Sequence, residues 1–457
     1  CSSDLPEGSD TADGTKADPA SLERAKVLAR QASEDADSDI QVLLEGGTYY
    51  LEDTLTFTRE DSGKNGHRII WTAEDENDKP VLSGGKELEG KWTLHDPEKN
   101  IYKYQDLDED FITRDLYVNG TRATLARSRS SVSGLQYSTS DAAYEGKAEG
   151  RIETLGLKGK IADTVRGFGD ISQLEAVRNV RWRHFEVPVE KVEGDIVYME
   201  QTAWRNTSTT ERVHYDWNGA SWRAYSGGVT YFQNAYAFLD EAGEFYLDNT
   251  EHVLYYIPRD GEDMDKAQVV APVLEKIMVA EGRDTDKITY PQPGREKGGI
   301  VDEKIENLTF ENICFQHNTF LRPGTEDGYV GTQGGHTLTG PEAEGAYSDP
   351  WGSYAAPPHG AVYVNSGDSI VFRGCEFSKI GSTALEVTKG SRNCTITENR
   401  FEDLAGGAVY LGENKHTSDK AEDPHAKGPS FSTSGIVSPA IIPLEERELS
   451  YNNEISY

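Results

Sequence analysis

Residues 360–412 hold the feature that most restricts what this chain can fold into. Three short apolar strands recur there: Ala361-Val362-Tyr363-Val364, Ala384-Leu385-Glu386-Val387 and Ala408-Val409-Tyr410-Leu411. Each follows a glycine-containing turn, at Gly360, Gly381 or Gly406-Gly407. Ile370-Val371-Phe372 and Cys394-Thr395-Ile396 come after the first two, and Phe377 and Phe401 close these repeats 24 residues apart. Such a period, with β-type composition, predicts coils of a parallel β-solenoid, in which one coil buries its face only against its neighbours. Side chains alternate along a strand. Val362, Leu385 and Val409, with Val364, Val387 and Leu411, are then expected to face a core. Tyr363, Glu386 and Tyr410 form a column on the outer, solvent-facing side. A carboxylate held between two tyrosines is the leading functional candidate.

The flanking sequence extends this pattern. Short turn-punctuated runs at 40–44, 49–51, 54–57, 68–71 and 80–85 read as the first coils. Leu22, Ala25, Val27 and Leu28, with Ser21 as N-cap, predict a helix over 19–32 that caps the open end. Residues 1–18, rich in Asp, Gly, Ser and Thr, are expected to be disordered. From 86 to 265 the strands lengthen and lose their regular spacing, as at 115–120, 182–187, 196–199 and 244–247. This stretch reads as an inserted β-rich module. Residues 269–279 resume the coils. The expected division is a tether over 1–18, a cap helix and first coils over 19–85, a module over 86–265, and coils over 266–457. Long loops near 317–359 and 413–446 interrupt those coils, and loops of that length inside a repeat are functional or disordered. Residues 449–457 align with the middle of a coil. An exposed coil end is sticky, so more coils, with part of any catalytic set, are expected beyond Tyr457.

Composition narrows the function. Forty-six basic against 79 acidic residues give a net charge of −33, which excludes nucleic acid and anionic membrane surfaces as partners. It also weighs against polyanionic substrates unless a local basic cleft overrules it. No apolar run reaches the roughly 20 residues that span a bilayer. Cys1-Ser2-Ser3, followed by a polar stretch through Pro19, resembles a processed bacterial lipoprotein. That resemblance implies lipid on Cys1, anchoring at the cell surface or in the periplasm, and no other membrane contact. Cys314, Cys375 and Cys394 show no CxxC or zinc spacing and are expected as packed thiols. No metal or cofactor is expected, and the protein is expected to be a monomer.

Several segments carry a family resemblance. They are Val42-Leu43-Leu44-Glu45-Gly46-Gly47-Thr48-Tyr49-Tyr50-Leu51, Asp61-Ser62-Gly63, Ser83-Gly84-Gly85, Leu116-Tyr117-Val118-Asn119-Gly120-Thr121-Arg122-Ala123, Ala126-Arg127, Leu239-Asp240-Glu241-Ala242-Gly243-Glu244-Phe245-Tyr246-Leu247-Asp248 and Leu254-Tyr255-Tyr256-Ile257-Pro258. With the coils at 305–411 the chain is similar, from about residue 20 onward, to the right-handed parallel β-helix proteins of glycoside hydrolase family 141. The resemblance implies an all-β fold, a right-handed parallel β-helix. It also implies α-L-fucosidase-like or xylanase-like activity on plant polysaccharide, with catalytic carboxylates on the outer face of the later coils.

Glycoside hydrolysis uses two carboxylates, about 5–5.5 Å apart for retention and about 6.5–9.5 Å for inversion. Neighbouring parallel strands lie about 4.8 Å apart, so carboxylates on nearby coils span that range. Glu386 is the first candidate and Glu413, directly after the next strand, the second. Tyr363 and Tyr410 are candidates to stack on sugar rings, and His359 and Trp351 to contact substrate from the cleft edge. Asp403 reads as a turn residue, and Arg122 and Arg127 as ion-pair partners of acids. Trp182, His184, Trp204, Trp217 and Trp222 read as module core. A polysaccharide lyase is an alternative, but it needs a basic residue and commonly Ca²⁺, and the column offers no Lys or Arg. A non-catalytic carbohydrate-binding solenoid is the third reading. No nucleotide motif, metal signature or nucleophile elbow is present.

Overall fold

The computed structural model describes residues 8–129, 156–180, 183–200, 202–204, 229–282, 304–331, 335–339, 347–348, 354–356, 359–388, 390–412, 450 and 452–456. These are mostly β, and three parallel sheets organise them. The first contains Ile40–Leu44, Ile69–Ala73, Leu308–Glu311, Val371–Arg373, Thr395–Thr397 and Glu454–Ser456. The second contains Gly47–Tyr50, Pro80–Ser83, Cys314–Asn318, Glu376–Ile380 and Arg400–Leu404. Leu55–Thr58, Met278–Glu281, Gly360–Asn365, Thr383–Thr388 and Val409–Leu411 form the third. The chain visits the three sheets in the same order on every circuit. Residues 84–277 and 319–359 both leave the second sheet and return to the third, one circuit apart. That shared exit places the two long excursions side by side, next to the start of the third sheet's strands.

Parallel stacking at about 4.8 Å lets like side chains pile on one another, and the core shows it. Phe315, Phe377 and Phe401 stack with ring centroids 5.1 and 4.9 Å apart, and Phe310 stacks on Phe372 at 5.2 Å. Val362, Leu385, Val364 and Val387 are buried in the same core, as their alternation predicts. Leu411 is not: it is 40% exposed. Its strand Val409–Leu411 is the last of the third sheet among the described residues. Cys314, Cys375 and Cys394 are buried free thiols, and burial pushes them up to about 11, 12 and 11.

The N-terminal helix runs Leu22–Glu34, with the Ser21 hydroxyl accepting from the Arg24 N–H. Leu22, Ala25 and Ala29 pack on the parallel-sheet core, while Val27 is exposed. Residues 8–18, expected to be disordered, are instead hydrogen-bonded onto this helix. Ser9 N–H donates to Pro19 carbonyl at 3.0 Å, and Arg24 Nε to that of Ala12 at 3.0 Å.

Among the described residues between 85 and 272 the pairing is antiparallel apart from one parallel contact, Thr124–Leu125 with Glu244–Asp248. Val269–Pro272, expected to resume the coils, pairs antiparallel with Gly85–Glu87, and Met278–Glu281 is the strand that rejoins a parallel sheet. Two further apolar clusters lie here, one around Phe185, Trp204 and Phe232, the other around Phe245, Leu254 and Tyr256. Trp204 is buried as expected; Trp182, Trp217 and Trp222 lie outside the described residues. The long excursion 319–359 is tied to this region, because Tyr329–Val330 pairs antiparallel with Phe185 and Glu186.

Candidate functional site

The register of the third sheet aligns Val279, Tyr363, Glu386 and Tyr410 on successive strands. Their neighbours Val362, Val364, Leu385 and Val387 fill the core, so this column points outward. It is not open to solvent as expected. Tyr363 is 8% exposed and Glu386 6%. Segments distant in sequence close over it. Lys276 Nζ lies 5.3 Å from the Tyr363 ring centroid, and the His336 ring 5.7 Å from that of Tyr410. Burial lowers the pKa of His336.

Glu386 is held in place by the backbone. Its Oε2 accepts from the Gly360 N–H at 2.9 Å. Gly360 makes this possible by lacking a side chain, since a Cβ there would lie 2.6 Å from Glu386 Cβ. His359 precedes that glycine and is half-buried. Glu413, Trp351 and Cys1 lie outside the described residues.

One row further along the same strands the outer face carries Glu281, Asn365 and Thr388 in register. Asn365 Nδ2 and Thr388 Oγ1 are buried and have no hydrogen-bond partner. An unmet buried polar group is destabilising by about 1–3 kcal/mol, so two in adjacent positions are a costly feature of this face. Sequence reasoning missed this row. The signal was present in the alternation, since Asn365 and Thr388 lie two residues beyond Tyr363 and Glu386.

A second set of acids lies in the antiparallel region. The Arg114 guanidinium bonds Glu175, and its Nη2 reaches Glu186 at 2.9 Å. Gln233 Nε2 donates to both carboxylates at 2.8 Å, and His184 Nε2 meets Glu186 Oε1 at 2.8 Å. Burial pushes Glu175 up against the pull of Arg114. Burial also opposes the charge on Glu186, but His184 and Arg114 outweigh it and hold that carboxyl below the usual range. All four carboxylate oxygens are bonded within the protein. This is a clasp, and it was not foreseen: His184 was expected only as core.

The turn between the second and third sheets carries a third polar cluster. Arg122 bonds Asp115 and Asp403, as its expected pairing with acids requires, and stacks over Tyr117 at 4.9 Å. Arg127 lies over the Tyr231 ring at 5.5 Å, and among the described residues it forms no ion pair. His317 Nδ1 lies 3.0 Å from Ser83 Oγ, and burial, with Lys379 and Arg122 nearby, lowers its pKa to about 3. It is a neutral packing residue.

No protein-family model matches the chain, and no curated protein matches it. A solved structure named "Glycoside hydrolase" superposes on 90% of this chain and 67% of its own, with a TM-score of 0.68 and 24% identity. The chain therefore shares the fold of that structure. A structure named "The complex structure of XylC with xylose" matches 88% of this chain and 55% of its own, at 11% identity and a TM-score of 0.35. That likeness is too distant to carry any inference.

Proposed function

We propose that the three parallel sheets are the walls of a right-handed β-helix, and that the outer face of the third is the active face of a glycoside hydrolase. The observation that carries this is Glu386, set between Tyr363 and Tyr410 and oriented by the Gly360 N–H. The glycoside hydrolase-like fold supports the reading. The substrate is a plant or other complex polysaccharide, attacked in α-L-fucosidase-like or xylanase-like fashion by two carboxylates. Glu386 is one of them. Glu413 is a candidate for the second, and Glu281 joins it, two strands back and one row along. Two strand spacings and two residues along the strand put their backbones about 12 Å apart, and Glu386 leans away toward Gly360, so the pair reaches the separation used for inversion once Glu386 swings from that N–H toward Glu281 on binding glycan. Asn365 and Thr388, between these acids, suit the hydroxyls of a sugar ring.

One observation keeps the lyase alternative open. Lys276 brings a base beside Tyr363, which the column alone lacked. A panel of fucosylated and xylan-type glycans separates the readings. Release of reducing ends without near-ultraviolet absorbance of an unsaturated product is expected. New absorbance there shows a lyase, and binding without cleavage shows a non-catalytic protein.

A further inference from the structure

Arg322 is anomalous in a chain so rich in acids. Several arginines among the described residues meet carboxylates closely: Arg392 Nε lies 2.6 Å from Asp368, and Arg259 Nη1 3.2 Å from Glu262. Arg322 has Nε and Nη2 buried with no hydrogen-bond partner. Its nearest acid, Asp327, is 3.7 Å from Nη2, beyond hydrogen-bond reach, and the side chain is 20% exposed. Burial lowers its pKa against the pull of Asp327 and Glu275, yet a guanidinium stays charged in proteins. A buried cation with two unmet donors is a costly arrangement that an anion relieves.

The two unmet donors are a specific pair. Nε and Nη2 lie on one edge of the guanidinium, and that edge meets both oxygens of a carboxylate through parallel N–H···O bonds. The position is also specific. Arg322 opens the short turn Arg322–Gly324, at the start of the excursion that later brings His336 against Tyr410. The preceding Leu321 N–H donates to Glu275 Oε1 at 3.0 Å, and Asn318 Nδ2 to the Glu275 carbonyl at 2.9 Å. The next residue, Lys276, carries the ammonium over Tyr363. Arg322 is thus pinned beside the starts of the third sheet's strands, the side toward which Gly360 draws the Glu386 carboxylate.

We infer that Arg322 binds an anionic group on the glycan, the carboxylate of a uronic acid or a sulfate ester. This rests on the reading of the Glu386 face as a glycan site. It places two cations, Arg322 and Lys276, beside Asp327 and Glu275 at one point of a strongly acidic molecule. Acidic sugars are then selected at one subsite, while a long polyanion is repelled elsewhere.

The test is titration calorimetry on the E386Q variant with three probes: galacturonate oligosaccharides, the same oligosaccharides with their carboxyls reduced to alcohols, and a sulfated galactan oligosaccharide. The carboxylate probe is expected to bind more tightly than its reduced form. Arg322→Gln is expected to weaken that binding about 10–100-fold and leave the reduced probe unchanged. Arg322→Lys, which keeps charge but not the fork, restores only part of it. Comparison of carboxylate with sulfate probes identifies the anion. Equal binding of acidic and reduced probes by the parent overturns the inference even if no Arg322 variant folds. So does unchanged acidic binding in Arg322→Gln, which would show the guanidinium serving Asp327 alone. If Arg322-dependent binding appears and the wild-type chain cleaves nothing, the hydrolase reading fails and the anion site stands.

Discussion

Two groups of buried acids in this molecule look alike in burial and differ in what surrounds them. Glu175 and Glu186 meet on Arg114 and Gln233, with His184 completing the set, and every carboxylate oxygen is bonded to a named side chain. Glu386 is held by a backbone N–H instead, on a face where Asn365 and Thr388 retain unmet polar atoms and aromatic rings lie on both sides. The first arrangement locks strands of the antiparallel region to one another and to the turn at Arg322–Gly324, where a Cβ on Gly324 would lie 3.0 Å from Arg114 Nη1. The second has directed groups that nothing in their own row satisfies. Burial of an acid alone therefore does not identify chemistry; the satisfaction of its neighbours does.

The comparison breaks most visibly at Arg114. Arg114→Ala leaves Glu175 and Glu186 buried without their shared cation, and removing one partner of a buried ion pair destabilises by about 3–5 kcal/mol. Urea unfolding should show a large fall in midpoint. A change within error would mean that the clasp is no more than a surface ion pair. Gly360→Ala is the next largest. Its Cβ would also sit 2.8 Å from the Val362 carbonyl, so the strand or Glu386 must shift. Overpacking of this kind costs about 1–3 kcal/mol, and turnover should fall with it. Unchanged turnover would show that the Glu386 orientation is unimportant.

His317 sharpens the contrast through pH. Its pKa is lowered from 6.5 to about 3 in the folded protein. Between those values the unfolded chain binds a proton there that the folded chain refuses, so stability rises with pH across that window. Its contribution is complete above 6.5 and is lost as pH falls. His317→Gln is expected to reduce the slope of stability against pH in that window, measured by urea midpoints. An unaltered slope would place the acid sensitivity elsewhere.

Much of the fold was legible in the sequence because its regularity is local. The 24-residue spacing of Phe377 and Phe401 reports the stacking of their rings directly, and the alternation around Val362 and Leu385 identified the core side correctly. The outer face was legible in direction but not in exposure. Lys276 reaches Tyr363 and His336 reaches Tyr410 from elsewhere in the chain, and no local pattern records such approaches. The clasp was illegible for the same reason: Arg114, Glu175, Glu186 and Gln233 come from separate strands and meet only once those strands pair. Val269–Pro272 was misassigned because an apolar strand looks the same whether its partner runs parallel or antiparallel. The row of Asn365 and Thr388 was within reach of the alternation rule and was missed.

The most direct test sets E386Q beside E175Q in the same protein, measuring reducing-sugar release and urea unfolding for each. E386Q keeps the shape of the side chain and should lower turnover by about 10²–10⁴-fold with the unfolding midpoint little changed. E175Q should lower the midpoint and leave the turnover of the folded protein intact. Full turnover in E386Q, or lost turnover with an unchanged midpoint in E175Q, would contradict the assignment of Glu386 as the catalytic carboxylate.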